Sequence, residues 1–126
     1  MIAVIFEVTP VADNKQTYLD IAADLRPMLD GIEGFISIER FASLSDATKI
    51  LSLSFWRDER AVTQWRNTSE HRDAQHAGRT GVFADYRLRI AHVVRDYGLN
   101  ERAEVPVNSR AILNHNHPDV QTKQLK

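Results

Sequence analysis

The sequence predicts an α+β domain in the order β-α-β-β-α-β: a ferredoxin-like, four-stranded antiparallel sheet with helices on one face. Three observations carry this. Of four strand segments, residues 2–8 form a short, β-branched apolar run, and the three later ones alternate side-chain character with a period of two. An amphipathic stripe at helical spacing separates the first two, and a pair of short cappable segments separates the last two. The length of 126 residues suits one hydrophobic core and not two.

Residues 2–8 are rich in β-branched side chains and stop short of Pro10, which predicts the first strand. Ile2, Val4, Phe6 and Val8 share one face; Ala3, Ile5 and Glu7 share the other. A helix capped by Asp13 or Asn14 follows, because Tyr18, Ile21, Ala22, Leu25, Met28, Leu29 and Ile32 recur three and four apart. Pro27 removes a backbone donor and is expected to kink or divide that helix, with Gly31 and Gly34 at the exit. Residues 35–42 and 49–56 alternate on either side of the turn cluster Ser43-Leu44-Ser45-Asp46, which predicts a hairpin. Asp58 caps a short helix carrying Ala61, Val62 and Trp65; Ser69 caps a second at 70–77 that stops at Gly78. Residues 86–97 form the last strand, with Tyr86, Leu88, Ile90, His92 and Val94 on one face.

Residues 1–98 are therefore read as the folded domain. Residues 99–126 are read as an extended or mobile tail. The sheet face away from the helices is expected to carry Ile5, Ile50, Trp56, Ala91 and Val93 among polar residues. Such a mixed face predicts pairing with a symmetry mate, hence a homodimer.

Composition narrows the function. A net charge of −1, with lysines and arginines dispersed, excludes a strong pull toward nucleic acid or an anionic membrane, and neither is expected as a partner. With no cysteine there is no disulfide, thiolate nucleophile or cysteine-based zinc site. The apolar start is too short to span a membrane and lacks a basic leader, so a cytoplasmic location is expected. No Gly-x-Gly-x-x-Gly opens a helix, so flavin and nicotinamide are not expected.

The chemistry concentrates in residues 55–79, which hold both tryptophans and two of the five histidines. His71 and His76, five apart, point about 140° from each other on a helix and do not chelate one metal. His71 and Gln75, four apart, do share a face. His71 is the leading candidate for a general base; its alternative is a half-buried histidine bonded to backbone. Trp65 is a candidate pocket wall, whereas Trp56, at a strand end, reads as packing. His92 sits among apolar neighbours, either as a core residue or facing a cavity between sheet and helices. Glu7 is expected to pair with Arg87 or Arg89 across the sheet. His115-Asn116-His117 reads as a solvated segment.

The segment Glu33-Gly34-Phe35-Ile36-Ser37-Ile38-Glu39-Arg40-Phe41 after an amphipathic helix carries a resemblance. So do Leu53-Ser54-Phe55-Trp56-Arg57-Asp58-Glu59-Arg60-Ala61, then Trp65 and His71, then Asp85-Tyr86-Arg87. Together they resemble the antibiotic biosynthesis monooxygenase domain, over residues 1–98. The resemblance implies a dimeric α+β barrel and one of two activities. The first is cofactor-free oxygenation of a small, flat aromatic or phenolic molecule by dioxygen. Trp65, Phe6, Phe55, Gln75 and Phe83 would then bind the substrate, and His71 or His92 would take its proton. The second is haem binding with oxidative opening of the porphyrin. Members of that kind use a first-strand Asn, a Trp and a later His. Trp65 matches the Trp, the Asn position falls at Phe6 or Glu7, and the His position falls near Gln75. A dimeric ligand-binding module without catalysis is the third possibility.

Overall fold

The computed structural model describes residues 1–68, 71–73, 76 and 81–109. In chain order they form β1 (Ile2–Pro10), a 3-10 turn (Ala12–Asn14), α1 (Lys15–Leu29), β2 (Phe35–Ala42), β3 (Ile50–Trp56), α2 (Glu59–Arg66) and β4 (Phe83–His92). The strands make one antiparallel sheet ordered β2-β3-β1-β4. That is the strand order a β-α-β-β-α-β chain reaches when both helices cover one face. Of the helix expected at 70–77, residues 71–73 and 76 are helical; the rest of it, the expected Ser69 cap, the Gly78 stop, Gln75 and the 115–117 segment lie outside the described residues.

The helix-covered face follows from alternation. Ile2, Val4, Phe6 and Val8 of β1 stand opposite Trp56, Ser54, Ser52 and Ile50 of β3. Two apolar clusters close on this face. Ile2, Trp56, Leu29, Ala61, Val62 and Trp65 form one, with Val4, Leu25, Ile32, Phe35 and Ile38 packed against it. Val8, Tyr18 and Ile50 form the other, with Phe6, Leu19, Val82 and Phe83 around them. Ile50 and Trp56 are thus on the helix-covered side, a correction to the expected composition of the open face. Ile5 lies on the open face as expected, and Leu51, Leu53 and Phe55 join it there in place of Ile50 and Trp56, all half-buried, because each precedes or follows an inward residue by one.

Other elements depart in detail. Asn14 does not cap α1; its side-chain amide donates to the Gly81 carbonyl at 2.9 Å. Helix α1 is not divided at Pro27: it runs through that residue and ends two residues later at Leu29, so the proline marks its last turn. Strand β1 continues to Pro10 with an irregularity at Thr9/Pro10. Strand β4 stops at His92, which pairs with Ile2 at the start of β1, so residues further on have no strand to bond. The chain divides into two compact units, Met1–His92 and Val93–Lys126. Within the second, the Gly98 amide donates to the Glu101 carbonyl at 2.9 Å, and the Arg102 guanidinium lies 5.7 Å from the Tyr97 ring centre.

The fully buried Trp56 needs a partner for its indole N–H, and Ser54 supplies one: Nε1 donates to Oγ at 2.9 Å, with Ser54 itself buried. Ser54→Ala is expected to cost about 1–3 kcal/mol by orphaning that donor. A urea melt at unchanged slope reads the loss, and a Trp56→Phe background should cancel most of it.

Candidate functional site

Helix α2 begins where the Asp58 carboxylate accepts the Ala61 N–H at 2.9 Å, and the same bond holds that carboxyl below its ordinary range. The helix carries Ala61, Val62 and Trp65 into the core on one face, as three- and four-residue spacing requires. It ends at Asn67, and Thr68 then makes a double link. The Thr68 hydroxyl donates to the Trp65 carbonyl at 2.8 Å and accepts the His71 N–H at 3.2 Å. One side chain therefore ties the end of α2 to the backbone that bears His71. The result is a fixed pair of rings: His71 lies 5.0 Å from Trp65, centre to centre, at 60°.

His71 is half-buried. Burial, and then the charge of Arg66, hold its imidazole below the ordinary 6.5. It is consequently neutral at pH 7, with a ring nitrogen able to accept a proton. The same shift sets a pH dependence. Below pH 6.5 the unfolded chain protonates this histidine before the folded one does, so the contribution is intact above 6.5 and is lost as pH falls from there through the folded value. A His71→Phe variant is expected to show a flatter fall of the melting temperature below pH 6.5 than the parent. Asp46 and Asp58, both held below 3.8, titrate outside this window.

A second aromatic group sits further along the same face. Phe6 meets Phe83 and Tyr86, each at 5.7 Å between ring centres, and Phe83 meets buried Tyr18 at 5.6 Å. Between the two groups the sheet presents Val4, Ser52 and Ser54 from its centre and Leu88 and Ile90 from β4. Leu88 and Ile90 are 48% and 43% exposed, so this part of the face has apolar surface to offer a ligand.

The predicted residues divide accordingly. His71 and Trp65 come together, and so do Phe6 and Phe83. Phe55 is a correction: it pairs with Ala3 on the opposite face of the sheet and does not line the helix-covered side. His92 is exposed at the end of the edge strand β4, on the same face as Ile2, and is not the core histidine its neighbours suggest. Gln75 lies outside the described residues. Glu7 pairs with Arg89 at 3.5 Å, as expected. Thr68 was not foreseen, although a threonine just past a helix end and three residues before a histidine has the spacing of a cap. No three histidine, aspartate or glutamate side chains converge to hold a metal ion among the described residues. No described helix is long and apolar enough to cross a membrane. A depression of about 410 Å³, lined by Thr9, Pro10, Val11, Lys15, Thr48 and Ala84 among others, has none of these aromatic residues in its wall.

With this geometry in place, comparison with known proteins is informative. Residues 1–77 match the family model described as antibiotic biosynthesis monooxygenase. A protein of Pyricularia oryzae named jasmonate monooxygenase is 50% identical over 101 residues, covering 80% of this chain and 47% of its own length. The chain thus spans about half of that relative. An uncharacterized protein of Bacillus subtilis is 29% identical over 94 residues, covering 74% of this chain and 79% of that one. Among solved structures, that of Rv0793 from Mycobacterium tuberculosis superposes with a TM-score of 0.69 at 11% identity, covering 77% of this chain and 98% of the other. That likeness shows the shared fold.

Proposed function

The chain belongs to the antibiotic biosynthesis monooxygenase family, and on that premise we propose that it is a cofactor-free monooxygenase of small, largely apolar molecules. The observation that carries this reading is the Trp65–His71 pair: a neutral, half-buried imidazole held beside the indole ring, its backbone tied by Thr68. In this mechanism a flat substrate with an acidic C–H lies on the aromatic walls. His71 takes the proton and leaves an electron-rich carbanion. The carbanion passes electrons to dioxygen and forms a C–O bond, giving a peroxide. Return of the proton and loss of water leave a carbonyl, so that a methylene group and dioxygen become a ketone and water. Phe6 and Phe83 bind the ring, Trp65 backs His71 from the core, and together they keep water away. Fused aromatic ketones with a benzylic methylene have the required C–H acidity; a phenol instead loses its O–H proton, takes dioxygen at a ring carbon that bears hydrogen, and ends as a quinone with loss of water. Jasmonate is a second substrate to consider, favoured by the 50% identity to the Pyricularia protein. Its hydroxylation requires two further electrons, so a need for added reductant would mark that route.

Haem is the competing group, and the described residues argue against it. At the first-strand position Phe6 is committed to the aromatic group, while Glu7 faces the other way and pairs with Arg89. In the same proposal the protein is a homodimer, with a second copy covering Ile5, Leu51, Leu53 and Phe55.

An oxygen electrode tests the reading, with anthrone, hydroquinone and jasmonate offered with and without reductant. Substrate-dependent uptake without reductant supports it. Uptake only with reductant removes the cofactor-free mechanism, and no uptake with any of them removes the enzyme. A saturable Soret shift on titration with hemin would move the assignment to haem.

A further inference from the structure

One cross-strand row on the helix-covered face runs Leu88, Phe6, Ser52, Arg40 from β4 to β2. It starts apolar, passes an aromatic ring and a buried hydroxyl, and ends on a cation. With strands about 4.8 Å apart, Arg40 stands about 10 Å from Phe6, measured along the sheet. Arg40 is half-buried, yet no carboxylate among the described residues lies within ion-pair distance of it. A long hydrogen bond runs from its Nε to the phenol oxygen of Tyr18 at 3.4 Å, and both Nη groups are left without a carboxylate. The arginines that do have acidic partners, Arg26, Arg57 and Arg89, are about half exposed, where such a pair contributes little. Tyr18 is buried and carries Phe83 on its ring, so the cation borders the aromatic group directly.

A guanidinium on a half-buried arginine, without a carboxylate partner and beside an apolar floor, recognises a planar anion best, because two parallel N–H groups match two carboxylate oxygens. We propose that Arg40 is the anchor for a carboxylate on the substrate, whose apolar body lies toward Phe6 and Leu88. The substrate class is then a small apolar carboxylic acid. This rests on reading the helix-covered face as the substrate site, but not on the oxygenation chemistry.

The test is binding, followed by quenching of tryptophan fluorescence on the full chain, with jasmonic acid and its uncharged methyl ester as probes. The parent protein is expected to bind the acid about 10- to 100-fold more tightly than the ester. Arg40→Gln should erase that preference by weakening the acid and sparing the ester. Arg40→Lys, which keeps the charge, should recover part of it, and this variant with a melting curve separates lost binding from lost folding. No binding of the acid, equal binding of acid and ester by the parent, or an unchanged preference in Arg40→Gln overturns the proposal. Arg40-dependent binding of the acid with no oxygen uptake for any substrate would leave the anchor in place and remove the monooxygenase reading.

Discussion

Replacing His71 with glutamine is expected to slow substrate-dependent oxygen uptake by about 10²- to 10⁴-fold, the usual worth of a positioned general base. Glutamine keeps the size and a hydrogen-bonding end but accepts no proton at neutral pH. The loss should fall on kcat more than on KM, because Phe6 and Phe83 still hold the ring. Thr68→Val is the companion variant. It removes the bonds to the Trp65 carbonyl and the His71 N–H and leaves the imidazole itself intact. A smaller loss is expected there, with the base present but less well placed. If the His71→Gln enzyme turns over at the parent's rate with its melting temperature unchanged, the proton goes elsewhere. His92 would be the next histidine to test, although its exposed position at the end of β4 gives it no comparable setting.

A Gly34→Ala variant is expected to be destabilised by about 2–5 kcal/mol, the sum of a left-handed backbone penalty and an overpacked contact. Gly34 joins α1 to β2 with φ at +91°, a conformation that L side chains rarely adopt. A Cβ there would sit 2.8 Å from the Cβ of Ala61, which is 1% exposed on α2. The carbonyl of Gly34 also accepts the Arg57 N–H at 2.7 Å, so the backbone is not free to turn away. The two penalties separate in a double-mutant cycle. Ala61→Gly removes the clash but not the φ strain, so it should restore part of the loss and leave about 1–3 kcal/mol. A urea midpoint for Gly34→Ala equal to the parent's would show that the loop relaxes and that this approach of loop to helix is not constrained.

Much of the architecture was legible because period-two and period-3.6 patterns survive in any sheet with one covered face. Residues 35–42 and the Asp58 cap came out where their patterns put them. What alternation could not reveal was its own interruption. A bulge between Phe35 and Ser37 turns Ile36 out to 54% exposure and brings Phe35 and Ile38 to the same core cluster. A bulge has no strong residue signature, and one extra residue inverts every face assignment before it. The misplacement of Ile50, Trp56 and Phe55 had a different origin. Two strands each alternate cleanly, but only their register shows which half of one matches which half of the other.

The candidate site divides the same way. Trp65 and His71 stood out in the sequence by residue type and by the family they resemble, and their rings do meet. Arg40 and Ser52 did not stand out, because arginine and serine on an alternating strand read as solvent-facing. Their meaning depends on lying in one row with Phe6, across strands far apart in the chain. The sequence by itself determined the order of elements, the fold and the family, because these rest on local periodicity, caps and short motifs. Tertiary structure alone decided which face each strand turns to the helices, which histidine is withdrawn from water, and which arginine is left without a carboxylate. Those are properties of register and burial, set by contacts between residues tens of positions apart, and no local pattern encodes them.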